Sequence, residues 1–208
     1  MRRVLLTLVF VASPAFAVPV VYTTPASFQV AVGGPAYVIT EDFESLPVGP
    51  LAAGTTDIGL FSITIDNNNE NGVRILEPGY VNGSREFGGD IDNDANMILN
   101  FSDFSPSSLI GFAGTWGTTT SGDLLTATVN SVTFKFSDYL SGSGDGFLGF
   151  YDSAGITAIN FGRENPSSKG EFFGLDNALL GIPESSTAIL LACGLAGLAA
   201  AGRRRAAY

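Results

Sequence analysis

The chain has 208 residues, of which 45% are hydrophobic and only 14% charged, and its formal net charge is −10. This length accommodates one domain of ordinary size together with short targeting segments. Histidine is absent, which excludes histidine-based triads, general bases and metal sites, and the single cysteine excludes an internal disulfide.

The charges are unevenly placed along the chain. All twenty acidic residues and only five of the ten basic residues lie within 18–184, which gives this stretch a formal charge of −15. So acidic a surface repels phosphate backbones, and nucleic acid is therefore not an expected partner. The same surface would suit divalent cations.

The N-terminus has the three parts of a secretion signal in order. Arg2 and Arg3 precede an apolar run over residues 4–12, and Ala15-Phe16-Ala17 forms a small-residue cleavage site. The run is too short to span a bilayer. We expect residues 1–17 to be a signal peptide cleaved after Ala17, the alternative being a buried terminal strand or helix.

The body, residues 18–181, begins with a predicted strand at 20–23 and a short helix at 25–32. Pro25 suits the first turn of this helix, and Gly33-Gly34 ends it. Short runs of β-branched and aromatic residues between turn clusters then predict further strands. These strands are at residues 37–43, 58–65, 73–76, 96–101 and 109–113.

Two alternating runs, residues 125–129 and 132–136, are separated only by Asn130-Ser131. This spacing predicts a two-residue β-hairpin. The last predicted strands are at residues 147–151, 156–161 and 172–180. About ten short strands without helical crossovers predict an all-β antiparallel sandwich rather than a parallel α/β fold.

Residues 90–96 are a candidate calcium loop, because calcium prefers several oxygen ligands. Oxygen-bearing side chains occupy alternate positions, namely Asp90, Asp92, Asp94 and Asn96. The helix-loop-helix calcium signature is not met, since Ala95 replaces its glycine and Phe101 its final glutamate. A solvated polar loop is the alternative.

Four aromatic residues are candidate platforms for stacking on sugar rings, with nearby Asp and Asn as hydrogen-bonding partners. They are Trp116, Tyr80, Tyr139 and Tyr151. Trp116 is flanked by glycines and threonines, as in a loop. The alternative for a lone tryptophan in a sandwich is packing in the core or at its rim.

The C-terminus carries a second targeting pattern. Residues 187–202 are uncharged and mostly Ala, Leu and Gly, and they are followed by Arg203, Arg204 and Arg205. As a helix this segment would rise about 24 Å, which with snorkelling arginines approaches the hydrocarbon thickness. We therefore expect a transmembrane helix with a cytoplasmic C-terminus. An amphipathic or buried core helix is the alternative.

The residues before this segment, Ile182-Pro183-Glu184-Ser185-Ser186-Thr187, complete a pattern that resembles a PEP-CTERM sorting signal. That family has a Pro-Glu-Pro motif, a short membrane helix and a basic terminus, and Ser185 replaces its second proline here. The resemblance covers residues 182–208 and implies export in a Gram-negative bacterium, with the membrane enzyme exosortase as processing partner. An ordinary C-terminal anchor is the alternative.

Parts of the body resemble the lectin-like or jelly-roll sandwiches common in PEP-CTERM proteins. They are Asp42 with the seven residues after it, Gly149-Phe150-Tyr151-Asp152 and Phe173-Gly174-Leu175-Asp176-Asn177. By resemblance to jelly-roll carbohydrate-binding modules, Asp42, Glu44 and Asp176 would share a structural calcium. Alternatively, Asp176 caps a turn and Glu44 faces solvent.

Taken together, these features predict an exported, non-enzymatic protein of the cell surface or extracellular matrix that binds glycan, exopolysaccharide or cations. A carbohydrate-active hydrolase that uses acidic residues stays open, because paired carboxylates can cleave glycosides. A structural, self-associating surface protein is the third alternative.

Overall fold

The computed structural model describes residues 18–65, 72–78, 81, 83–91, 97–101, 109–118, 125–140, 145–164 and 171–183. In this part of the chain two antiparallel β-sheets pack face to face as a sandwich, and one short α-helix lies outside them. The all-β class and the single N-terminal helix predicted from the sequence are confirmed.

The strands are short at the two ends of the sheets and longest in the middle of the eight-stranded sheet. The elements are β1 Val20–Tyr22, α1 Pro25–Ala31, β2 Val38–Glu41, β3 Gly49–Pro50, β4 Gly54–Asp57, β5 Ser62–Ile65, β6 Arg74–Leu76, β7 Glu86–Ile91, β8 Met97–Asn100, β9 Leu109–Thr118, β10 Leu125–Val129, β11 Val132–Lys135, β12 Gly146–Ile156, β13 Ala158–Arg163 and β14 Glu171–Gly181. Two 3-10 turns, Pro35–Tyr37 and Phe136–Asp138, precede β2 and follow β11.

The eight-stranded sheet has the order β1-β12-β9-β14-β7-β6-β3, and β2 also pairs with β14. The six-stranded sheet has the order β11-β10-β13-β8-β5-β4. Every pairing recorded between these strands is antiparallel. Such sheets can bury one face and expose the other, which explains the alternation of apolar and polar residues.

The core fills the space between the sheets, and its centre is aromatic. Trp116 of β9 packs on Phe161 of β13, in the opposite sheet, with ring centroids 5.3 Å apart. Phe136 meets the same indole edge-on at 4.9 Å. Rings at these separations add attraction to the burial of apolar surface, so this cluster joins the two sheets.

A β-bulge in β14 keeps its apolar side chains on the core side. The register of β14 against β9 shifts between Asp176 and Leu179, and Asn177 has a φ of 50°. Odd-numbered Phe173 and Leu175 are buried before the bulge, and even-numbered Ala178 and Leu180 after it. The extra residue therefore reverses which positions face inward.

Helix α1 lies on the outer face of the eight-stranded sheet. The Thr24 side chain accepts a hydrogen bond from the Ser27 amide at 3.3 Å, which caps the helix at its predicted start. Phe28 and Val32 point onto the sheet, where Gly111 and Gly149 leave room for their side chains. A Cβ at either glycine would approach Phe28 to 2.9 Å.

The two-residue hairpin is confirmed, since Val129 of β10 pairs with Val132 of β11. Asn130 and Ser131 have φ values of 47° and 70°, as a primed hairpin turn requires. The predicted strand at residues 58–65 is wrong in its first half. There, the Asp57 carboxylate accepts from the Gly59 amide at 2.8 Å, and the chain turns before β5 begins.

Three strands were not predicted from the sequence, namely β3, β4 and β7. The β4 and β7 segments each contain glycine and acidic residues, which are depleted in strands. The predicted tail helix lies outside the described residues. Among those that are described, no helix is long and apolar enough to cross a membrane.

Candidate functional site

Trp116 is fully buried, and its indole nitrogen donates to the Leu148 carbonyl oxygen at 3.1 Å. The ring is the centre of the aromatic core, so it offers no exposed face to a sugar. The expectation of a stacking platform at Trp116 is therefore corrected to core packing. The flanking glycines and threonines belong to the long strand β9 rather than to a loop.

The two tyrosine candidates that the structure describes, Tyr139 and Tyr151, lie at different sheets of the sandwich. Tyr139 is 39% exposed beside the six-stranded sheet and packs on Phe134. Tyr151 is half-buried on the eight-stranded sheet, where it meets Tyr22 edge-on at 6.5 Å. Tyr80 lies outside the described residues.

The buried carboxylate of Asp176 lies at the bulge of β14, where the neighbouring strand changes from β7 to β2. One carboxylate oxygen accepts from the Ser84 hydroxyl at 2.6 Å, and the other accepts from the Asn177 amide at 2.7 Å. Asp176 thus fixes both the bulge and the loop before β7.

Glu44 binds Arg85, the residue after Ser84 in the loop before β7. Its carboxylate accepts from the Arg85 amide at 2.6 Å, and the Arg85 guanidinium donates to the carbonyl oxygens of Glu44 at 2.7 Å and Leu46 at 2.8 Å. The exposed Asp42 accepts from the Glu44 amide at 3.1 Å. These bonds tie the turn after β2 to the loop before β7.

Glu86, the first residue of β7, is fully buried and accepts a hydrogen bond from the Val81 amide. Val81 lies against Gly174 of β14, where a Cβ would come within 2.9 Å of its side chain. Together with Asp176 and Glu44, Glu86 therefore fastens the loop onto the outer face of the eight-stranded sheet. We name this set (Glu44, Ser84, Arg85, Glu86 and Asp176) the acidic junction.

In the junction, Glu44 and Asp176 accept hydrogen bonds from two adjacent loop residues, Arg85 and Ser84 respectively. Within the described ranges, no group of three acidic residues, cysteines or histidines is placed to hold a metal ion. Asp90 is half-buried on β7, and its predicted co-ligands Asp92, Asp94 and Asn96 lie outside the described residues. Calcium binding stays a prediction.

The outer face of the six-stranded sheet presents an unbroken row of mostly polar side chains. The register aligns one residue from each strand: Thr133, Thr128, Asn160, Ile98, Thr64 and Thr55. Neighbouring strands are about 4.8 Å apart, so the row is about 24 Å long. We name these six residues the hydroxyl row.

Hydrogen bonds order the side chains of the hydroxyl row. The Thr55 and Thr64 hydroxyls are 2.9 Å apart, as are those of Thr128 and Thr133. The Asn100 amide, on the next row, also donates to the Thr64 hydroxyl at 2.9 Å. Threonine pairs facing each other across strands stabilise a sheet, and they also fix hydroxyl directions.

Charged residues on this face lie only at its edges in the described strands. Asp57 ends β4 at one edge, and Lys135 ends β11 at the other. Lys135 pairs with Glu164, and its hydrogen bond and charge attraction raise the pKa of the lysine. This attraction lasts while Lys135 is protonated and is lost as the pH rises through that raised pKa. Both side chains are largely exposed, so the pair contributes little to stability.

Sequence reasoning did not single out Ser84, Arg85 or the hydroxyl row. The row had a partial signal, because serine and threonine alternate with apolar residues in β5 and β10. Ser84 and Arg85 had no such signal, since their contacts to Asp176 and Glu44 join residues far apart in sequence.

Of the residues in the sorting motif, Pro183 is the last that the structure describes, two residues after β14. Glu184, Arg203, Arg204 and Arg205 lie beyond it. Comparison with known protein families and with curated proteins finds no match for this chain.

Proposed function

We propose that this protein is an exported, non-enzymatic component of the cell surface or extracellular matrix, whose sandwich binds glycan or exopolysaccharide. A signal peptide at residues 1–17 directs its export. A PEP-CTERM-like tail at residues 182–208 holds it at the inner membrane until an exosortase-type enzyme processes it. The tail contributes a transmembrane helix over residues 187–202, and the body has the connectivity of a jelly roll.

The observation that carries this proposal is a three-part targeting pattern at each end of the chain. Arg2 and Arg3, an apolar run and Ala15-Phe16-Ala17 come first, and the motif at 182–187, the apolar span at 187–202 and the basic end at 203–205 come last. The first strand begins three residues after the proposed cleavage site, and β14 ends one residue before the sorting motif. The sandwich therefore occupies the stretch between the two predicted targeting segments.

The carboxylates that are buried in the described residues have structural hydrogen-bond partners. The fully buried carboxylates Asp176 and Glu86 hold a loop, and buried Asp152 accepts from the Asn130 side-chain amide at 2.7 Å and the Ala154 amide at 2.8 Å. A general acid or nucleophile must reach its substrate. These three carboxylates instead support a structural role, whereas the open face of the six-stranded sheet offers a surface for a polymer.

The sorting role is tested in the tail. We expect replacement of Arg203, Arg204 and Arg205 by glutamate to disturb membrane orientation, because the cytoplasmic side of a span favours positive charge. Surface labelling and fractionation of the full chain in an exosortase-containing host would then show loss of surface protein.

A matched variant with three lysines keeps the positive charge and should behave as the wild type. Unchanged surface labelling of the glutamate variant would contradict a sorting role for the tail.

A further inference from the structure

The two sheets differ in what covers their outer faces. On the eight-stranded sheet, α1 packs over Gly111 and Gly149, and Val81 packs over Gly174. On the six-stranded sheet, Asn160, Thr55 and Thr133 are exposed, and the other members of the hydroxyl row are half-buried. The row is thus a broad, accessible surface.

The hydroxyl row is uncharged, although the chain as a whole is acidic. The stretch of residues 18–184 carries twenty acidic and five basic residues, yet none of the six residues of the hydroxyl row is charged. Solvated surfaces of small domains are commonly about a quarter to a third charged. The charges of this face lie beside the row, at Asp57 and Lys135 on its two edge strands, so the row itself suits a partner without charge.

We propose that the hydroxyl row is the docking surface for an extended, neutral polysaccharide chain. This proposal rests on the proposed function and adds to it a binding site and a class of ligand. Hydroxyl groups both donate and accept hydrogen bonds, and the asparagine amide does the same. On docking, the side chains of the row can therefore replace their hydrogen bonds to water with hydrogen bonds to the hydroxyl groups of a sugar chain.

Charge selects among the polymers that a surface protein meets. Anionic polymers such as polyuronates and nucleic acids are repelled by the strongly negative body. Cationic chains are drawn to the acidic loops and gain nothing at an uncharged face. A neutral polyhydroxyl chain loses no charge solvation on docking, which matches the row.

The shape of the surface favours a polymer over a single sugar. Small ligands bind in concave pockets that enclose most of their surface. The row is instead a face about 24 Å long, given strands about 4.8 Å apart. Weak contacts at successive positions add along one chain, because each bound unit raises the effective concentration of the next.

A second copy of the protein is a poorer occupant. Sheets that pack face to face interdigitate apolar side chains, and Ile98 is the only aliphatic residue of the row. Pressing two such faces together would bury hydroxyls and amides with imperfect partners, which costs free energy. Self-association through this face is therefore an outcome for the test to detect.

The test is a binding assay with the full chain, purified in mild detergent from membranes of a Gram-negative host. The probes are insoluble cellulose, curdlan, mannan and α-glucan, with an alginate gel as the anionic probe. The face variant is Asn160→Asp with Thr55→Asp, at two exposed positions of the row. The control variant, Thr23→Asp with Ser45→Asp, adds the same charge at exposed positions off the row.

We expect the wild type and the control variant to bind at least one neutral polysaccharide equally and alginate not at all. The face variant should bind that polysaccharide at least tenfold more weakly. It should stay folded, with a melting temperature a few degrees lower at most, because Thr55→Asp loses the hydrogen bond to Thr64. Thr64→Val, which removes a hydroxyl but keeps the shape, should weaken binding several-fold and serves as an uncharged second test.

Equal binding by the wild type, the face variant and Thr64→Val would overturn this site while leaving glycan binding intact. Absence of binding to every neutral probe would overturn both the site and the glycan part of the proposed function. Preference for alginate would overturn the ligand class. If sedimentation analysis shows that the wild type and the control variant are dimers and the face variant is a monomer, the face is a self-association surface and the polysaccharide proposal is overturned.

Discussion

The turn between β10 and β11 shows how single residues fix the position of a strand pair. Asn130 and Ser131 both have positive φ, and the Asn130 side chain donates to the Asp152 carboxylate at 2.7 Å and to the Gly155 carbonyl oxygen at 2.8 Å. These bonds join the hairpin of one sheet to the irregular part of β12 in the other. Asparagine tolerates the left-handed region, but serine does not favour it.

Ser131→Gly should therefore stabilise the protein by about 0.5–1 kcal/mol, since glycine adopts positive φ without steric cost and the Asn-Gly pair suits this turn. Thermal or urea denaturation measures the change. Ser137→Gly, at an exposed residue whose φ is not positive, is the control and should not stabilise. A Ser131→Gly variant no more stable than the wild type would contradict strain at this residue.

At the scale of residues, features that depend on neighbours in the sequence could be predicted, and features that depend on distant residues could not. The hairpin was predictable because two polar residues separate two alternating runs. The β14 bulge was not, since residues 172–180 were predicted as one uninterrupted strand, whereas the residues that face inward change from odd to even numbers at Asp176 and Asn177. The stacking role predicted for Trp116 was wrong, and the alternative of core packing holds. Its glycine and threonine neighbours suggest a loop, but they lie in β9, where Gly114 leaves room for the Leu175 side chain of β14.

At the scale of elements, α1 can pack on the sheet because the strands beneath it carry glycine at the contact positions. Gly181 pairs with Gly111 across β14 and β9, and a Cβ at Gly181 would come within 2.5 Å of the Val32 side chain. The helix itself was predictable from Pro25 and the glycines after it. Its position was not, because it depends on glycines more than seventy-five residues away in the sequence.

Gly181→Ala should destabilise the protein by about 1–3 kcal/mol, as overpacking in a well-packed site does. Val32→Ala should also destabilise it, since it removes buried methyl groups. The double variant should be more stable than the sum of the two losses predicts, because the smaller side chain at 32 makes room for the new methyl. Chemical denaturation of the four proteins measures this coupling, and strict additivity would contradict the contact.

For the whole molecule, charge and sandwich architecture set the behaviour in solution. The sandwich class was predictable from about ten short strands and the absence of helical crossovers. The division into two sheets and the acidic junction were not, because they depend on pairings between distant segments, such as Asp176 with Ser84. The charge of −15 over residues 18–184 opposes the compact state through like-charge repulsion.

If the predicted calcium sites exist, calcium should raise the melting temperature of the protein by a few degrees, since a ligand that binds only the folded state stabilises it. Melting with calcium, magnesium or a chelator at matched ionic strength measures this effect. Asp176→Asn and Asp92→Asn distinguish the two clusters. Equal small shifts with calcium and magnesium would show charge screening alone and contradict a calcium site.

The central claim is that a sandwich spanning residues 18–181 is exported and trimmed at both ends. The most direct measurement is the intact mass and terminal sequence of the protein released from the surface of an exosortase-containing host. The account predicts a chain that begins at Val18 and lacks the segment from residue 187 to 208. A folded, cell-associated protein that still begins at Met1 would contradict it.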